Sequence, residues 1–139
     1  MANQEVVDII QSGGADALRA FVTKAKEFDP TYRVDLAGAN LQNLSLVGVD
    51  LKDADLSGAN FSNSNLHYAH LDGANMQYAI FEDAKVSEAG FRQANISYVN
   101  FTRANVSKAV MTEVNGFGTI FEHSNIEGVI FNNSDLKNA

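Results

Sequence analysis

The 139-residue chain contains no cysteine, and Pro30 is its only proline. Without cysteine it has no disulfide framework, no thiolate nucleophile and no cysteine-ligated metal site. No segment approaches the roughly 18 consecutive apolar residues that a membrane span needs, and the N-terminus lacks the basic and apolar regions of a signal peptide. The sequence therefore predicts a protein that does not act on a membrane, and the cytoplasm is the expected location.

Positive charge is scarce as well. The chain has ten Lys and Arg residues and seventeen Asp and Glu residues, which gives a formal net charge of −7. Residues 1–33 hold five acids and four bases, so most of the acidic excess lies in residues 34–139. An acidic surface repels phosphates, and direct binding of nucleic acid is therefore not expected. The same charge keeps the protein soluble or attracts basic proteins.

The sequence is rich in one pattern, a five-residue repeat that runs through residues 34–139. Twenty of the twenty-one residues found by stepping in fives from Leu36 to Leu136 are large and apolar, and Gly116 is the exception. The residue two places before the large one is small or β-branched in every unit except that of Leu44, and eleven of these residues are alanine. Asp or Asn stands directly before the large residue in thirteen units. A period of five matches neither a helix nor a flat strand and indicates a stacked solenoid.

Similarity over longer distances gives the number of sides in each coil. At a spacing of twenty, like residues fall into columns, and the clearest column is Phe61, Phe81, Phe101 and Phe121. Stacked aromatic rings and asparagine ladders stabilise such columns. Twenty residues per coil correspond to four five-residue sides, and the repeat makes about five coils. The phenylalanine column is predicted to lie in the core and to carry stability.

Two typical units are Ala54-Asp55-Leu56-Ser57-Gly58 and Ala59-Asn60-Phe61-Ser62-Asn63. They resemble the pentapeptide-repeat family, whose motif is A(D/N)LXX, with Phe61 at the leucine position of the second unit. The resemblance implies an all-β fold, a right-handed quadrilateral β-helix, which agrees with the four sides inferred from the spacing. It implies little about activity.

Residues 1–33 lie before the repeat and show helical periodicity. Gly13-Gly14 interrupts the pattern, Asp16 is expected to cap a second helix, and Pro30 ends it. The apolar stripe predicts that this short helical segment caps the first coil, whose backbone and core end would otherwise be exposed. An amphipathic helix that engages a partner or a membrane is the alternative.

Residues suited to catalysis or metal binding do not form a recognisable constellation. The histidines His67, His70 and His123 occupy outer positions, and a metal site needs three or four convergent ligands. The serines at outer repeat positions (Ser57, Ser62, Ser97 and Ser107) lack an oriented base and acid. We therefore expect no catalytic, cofactor or metal site and predict that the protein is not an enzyme.

The regular pattern is disturbed near Gly116 and ends without a second cap. The Asn115–Gly118 segment is expected either to bulge, with Phe117 folding over the gap, or to keep Phe117 outside. An open C-terminal edge invites pairing. A monomer is favoured, and a dimer through the C-terminal end is the alternative.

The remaining interpretation is a non-enzymatic interaction or scaffold protein that binds another protein. Its candidate partner surface is Tyr78, Tyr98 and Phe117, because clustered outer aromatics are typical of interfaces. The alternative, implied by the family resemblance, is a DNA mimic that binds a topoisomerase such as gyrase. Arg103 and His123 interrupt the acidic side formed by Glu82, Asp83 and Glu122, and this disfavours mimicry.

Overall fold

The computed structural model describes residues 2–139 and begins with one long helix, α1 (Gln4–Phe28). Asn3 caps its N-terminus, because its side-chain oxygen accepts a hydrogen bond from the backbone N–H of Glu5 at 3.0 Å. At Gly14 the backbone leaves helical geometry (φ 63°, ψ −151°), so α1 is kinked where the sequence predicted a break. Asp16 is not the expected cap. It lies inside α1 and faces Arg19 at 3.7 Å.

One face of α1 lies against the beginning of the repeat. Four of its residues are buried in the same apolar core as the coils: Val6, Val7, Ile10 and Leu18. Polar contacts join the same surfaces, since the N–H of Ala2 donates to the carbonyl of Ala37 at 2.9 Å and Gln11 Nε2 donates to the carbonyl of Asn40 at 2.7 Å. The N-terminal segment thus covers the first coil. The division of the chain at residue 34 stays a prediction.

In the repeat each residue that precedes a large core residue pairs with its equivalent twenty positions later. These parallel bridges form four series, of which one runs Asp35–Asp55–Asn75–Asn95–Asn115–Asp135. Twenty residues per turn make four units per coil. The expectation of five-residue β sides needs correction, because the bridges are isolated and residues 2–139 contain no extended strand. A turn in every unit leaves only one residue per unit in the bridge.

The turns form the four corners of the coil and share one backbone geometry. In most units the residue three places after the large core residue donates its N–H to the carbonyl of that residue, as Ala39 does to Leu36 at 3.0 Å. The residue just before that donor has a positive φ between 56° and 70° in all twenty-one units from Gly38 to Asn138, and fifteen of these residues are not glycine. Positive φ at the third position is the signature of a type II turn.

The core is a narrow column in which large and small side chains alternate. The large residues from Leu36 to Met111 are buried, and the alanines between them are almost completely buried as well. Phe61 and Phe81 stack with ring centroids 4.8 Å apart, and the Phe81–Phe101 and Phe101–Phe121 distances are 5.2 and 5.4 Å. Phe121 lies in the last coil and is only partly buried. The small residues leave room for the rings.

Asp and Asn side chains before the large residues stabilise the corners. Each accepts a hydrogen bond from the backbone N–H two residues later, as Asp35 does from Ala37 at 3.1 Å and Asn60 does from Ser62 at 3.0 Å. This is the local bonding that short polar side chains offer at turns. Neighbouring asparagines also form a ladder, in which Asn95 Nδ2 donates to Asn75 Oδ1 at 3.2 Å.

The coil keeps its register at Gly116. Its N–H donates to the carbonyl of Asp135 at 2.7 Å, so the segment does not bulge and Phe117 stays outside. A β-carbon at this position would lie 2.6 Å from the Leu136 side chain, which fills the space that a larger residue would occupy. The hydroxyl of Thr119 lies 2.8 Å from the carbonyls of both Ile96 and Gly116.

Candidate protein-interaction surface

The three aromatic residues that the sequence singled out lie on one corner of the solenoid. We call this corner, formed by residues 37–38, 57–58, 77–78, 97–98 and 117–118, the aromatic corner. The rings of Tyr78 and Tyr98 stack with centroids 5.0 Å apart and planes 9° apart. Phe117 meets Tyr98 edge to face at 5.6 Å. Tyr98 thus contacts both of the other predicted surface residues.

Exposure differs among the three rings. Tyr78 is 59% exposed and Tyr98 is 42% exposed, whereas Phe117 is half-buried. A β-carbon at Gly118 would lie 2.7 Å from Cδ1 of Tyr98, so the Tyr98 ring covers this glycine. A glycine in the next coil thus makes room for the ring. Tyr78 is the most accessible of the three.

The aromatic corner is also distinguished by its charge. Its ten residues from Ala37 to Gly118 are all uncharged, and Lys137 follows in the last unit. The other three corners each carry charged residues. One of them holds an ion pair in which Arg103 donates to both carboxylate oxygens of Asp83, at 2.9 and 2.8 Å. These hydrogen bonds hold the pKa of Asp83 below its ordinary value.

Sequence reasoning missed Tyr68, which is 51% exposed. It occupies the same position within its unit as Tyr78 but lies two units earlier, on the opposite corner of the coil. Its ring centroid lies 3.8 Å from that of His67. The shared repeat position was the signal that could have identified Tyr68.

Three of the polar side chains considered for catalysis or metal binding make contacts within the solenoid. His67 Nδ1 lies 2.9 Å from the Ser87 carbonyl and 2.8 Å from its hydroxyl. Ser62 and Ser97 are buried rather than outside, because their hydroxyls fold back to donate to Asn side chains in the same units. Within residues 2–139, no group of three or more His, Cys, Asp or Glu side chains is placed to hold a metal ion. No helix in that range is long and apolar enough to cross a membrane.

A family model for pentapeptide repeats matches residues 32–67, 54–93 and 94–133. The chain belongs to the pentapeptide repeat family. Pentapeptide repeat proteins fold as right-handed quadrilateral β-helices, so the predicted family is confirmed and, with it, this architecture for the repeat. No curated protein sequence matches the chain.

Two solved pentapeptide repeat proteins are similar to the chain. One is HetL, involved in heterocyst differentiation regulation, from the cyanobacterium Nostoc sp. strain PCC 7120, with 28% identity over 70% of this chain and a TM-score of 0.62. The other comes from the Arabidopsis thaliana thylakoid lumen, with 30% identity over 68% of this chain and a TM-score of 0.65. The match spans 49% of the Nostoc protein and 66% of the Arabidopsis protein.

Proposed function

We propose that this pentapeptide repeat protein is a non-enzymatic scaffold that binds another protein through its aromatic corner. The observation that carries the proposal is the stack of Tyr78, Tyr98 and Phe117 on the one corner without charge between residues 37 and 118. Tyrosine and phenylalanine are enriched in the cores of interfaces, and charged residues are depleted there. Burying this corner requires no desolvation of an ion.

The residues beside the aromatic corner indicate the chemistry of the partner. The Asn75–Asn95 ladder borders it on one side, and Ile120, which is 44% exposed, lies on the other. The ladder belongs to the series Asp35–Asp55–Asn75–Asn95–Asn115–Asp135, and Ile120 belongs to the series Asn40–Asn60–Ile80–Asn100–Ile120, so amide groups border the apolar centre on both sides. A partner surface with an apolar patch and a few hydrogen-bonding groups complements it.

The experiment replaces both exposed rings with a residue that suits the corner backbone. Tyr78 and Tyr98 have φ values of 63° and 58°, and asparagine tolerates this left-handed region better than alanine does. The Tyr78→Asn/Tyr98→Asn double variant should keep the thermal midpoint and lose partners that wild type captures from a lysate of the source cells. Tyr68→Asn, at the same position within its unit on the opposite corner, is the matched control and should retain them. Retention of every partner by the double variant would contradict the proposal.

The DNA-mimic alternative is less well supported. Arg103 neutralises Asp83 directly and lies 3.7 Å from Glu82, so the acidic side does not present an unbroken row of negative charge. Its next coil pairs Glu122 with His123 at 3.5 Å. A monomeric state and a cytoplasmic location also stay predictions, and the Arabidopsis relative is a thylakoid-lumen protein.

A further inference from the structure

A cleft with an unusual charge lies between α1 and the first coil. It encloses about 170 Å³ and is lined by four basic residues, Arg19, Lys26, Arg33 and Lys52, together with Asp50 and Asp53. The helix, the connecting segment and the coil each contribute at least one of the bases. Four of the ten Lys and Arg residues in a chain of net charge −7 thus converge on one small cavity.

Three of these four cations have no acidic partner within residues 2–139. No Asp or Glu oxygen lies within 4.0 Å of the charged nitrogens of Lys26, Arg33 or Lys52, and Arg19 has only a 3.7 Å contact with the exposed Asp16. Like charges gathered in this way repel one another. A bound anion would relieve that repulsion.

The two carboxylates of the lining make other contacts. Asp50 Oδ1 accepts a hydrogen bond from the backbone N–H of Lys52 at 3.1 Å. The Asp53 side chain lies against Gly73 of the following coil, where an added β-carbon would overlap its carboxylate oxygen. Neither acid forms an ion pair with the bases, and four bases against two acids leave the lining with a formal charge of +2.

We propose that this cleft binds a small oxyanion, namely a phosphate group. Guanidinium groups match the geometry of phosphate oxygens, and ammonium groups add point charges. Pockets that bury drug-sized ligands measure roughly 300–1,000 Å³, so a cleft of 170 Å³ has room for a phosphate group but does not bury a larger ligand completely. The phosphate is either a free anion or one carried on the side chain of a bound peptide. The site is separate from the aromatic corner.

The test is a titration of ¹⁵N-labelled full-length protein with inorganic phosphate at constant ionic strength, followed by amide chemical shifts. Shifts should saturate and be concentrated in residues 19–34 and 50–54. The Arg33→Gln/Lys52→Gln variant should weaken binding by about tenfold or more, since each charged hydrogen bond contributes appreciably. Lys85→Gln removes one positive charge from an exposed position elsewhere, as Lys52→Gln does at the cleft, and should bind like wild type.

A second arm identifies the source of the phosphate. A short phosphoserine peptide that binds more tightly than inorganic phosphate, while its unphosphorylated form does not bind, assigns the site to a modified partner. Equal or weaker binding of the phosphopeptide assigns it to the free anion. Arg33 and Lys52 are exposed, so their replacement removes no core contact, and Lys52→Gln alone gives a milder variant with the same expected direction. Shifts that do not saturate, or equal weakening by Lys85→Gln, would overturn the proposal.

Discussion

Replacing Phe81 by alanine should remove a large part of the stability of the protein. The ring is fully buried and lies between the rings of Phe61 and Phe101, at centroid distances of 4.8 and 5.2 Å. Neither neighbour can close the gap without leaving its own stack, so the cavity should persist. A Phe→Ala change at such a site costs about 3–5 kcal/mol. Typical domains have about 5–15 kcal/mol in total, so roughly a fifth of the stability or more is at stake.

Urea denaturation followed by circular dichroism measures this loss, and two further variants calibrate it. Phe81→Leu keeps most of the volume and should cost about 1–2 kcal/mol. Phe121→Ala removes the same atoms from the same column, but in the partly exposed last coil, and should cost less than Phe81→Ala. The corresponding fall in the thermal midpoint for Phe81→Ala is roughly 10–20 °C for a chain of this size.

The order of the variants is what tests the reasoning. Because coils contact mainly their neighbours, a central vacancy affects coils on both sides, whereas a terminal one affects a single neighbour. If Phe81→Ala were no more destabilising than Phe121→Ala, the column would not be a continuous core. An unchanged midpoint in Phe81→Ala would contradict even the burial of the ring.

Four other outcomes are expected. Gly38→Ala should cost about 1–2 kcal/mol through backbone strain alone in a thermal melt, since its φ is 70° and no atom lies within 4 Å of the new β-carbon. Ser64→Ala should cost about 1–3 kcal/mol in urea, because its buried hydroxyl bridges the Leu41 carbonyl and the Leu44 N–H at 2.6 and 2.9 Å. Arg103 lowers the pKa of Asp83, so any deficit in stability of Arg103→Gln relative to wild type should be present at neutral pH and should vanish as pH falls through that lowered pKa, because the wild type then loses the ion pair. In a gyrase supercoiling assay the protein should neither inhibit nor protect the enzyme.

Much of the architecture could be predicted because the narrow core requires large and small residues at fixed positions of each unit. A large residue every fifth position with a small one two places earlier is a direct record of inward-facing side chains. The twenty-residue spacing of phenylalanines then gave the coil length, since like rings stack on like rings. The contact between Tyr78 and Tyr98 followed from the same spacing.

The positive φ of the corner residues could not be predicted from the sequence in the same way. Positive φ is usually signalled by glycine or asparagine, yet Tyr78, Glu88 and Arg103 adopt it with values of 63°, 58° and 57°. Pairing with the adjacent coils imposes that conformation on whatever residue stands there. The half-burial of Phe117 was equally hidden, because it depends on the edge-to-face contact with Tyr98.

The five-residue period affects how the register between successive coils is determined. A slip of one unit would still place a large residue beside a large one and a small residue beside a small one, so burial alone hardly distinguishes the two alignments. Three contacts that form in only one of the alignments distinguish them: the phenylalanine stack, the asparagine ladder and the packing of α1 on the first coil. One extra unit inserted between Tyr78 and Tyr98 would accordingly turn every later corner by a quarter of the coil. The rings would part while the interior stayed continuous, so the outside of this molecule can be rearranged almost independently of its inside.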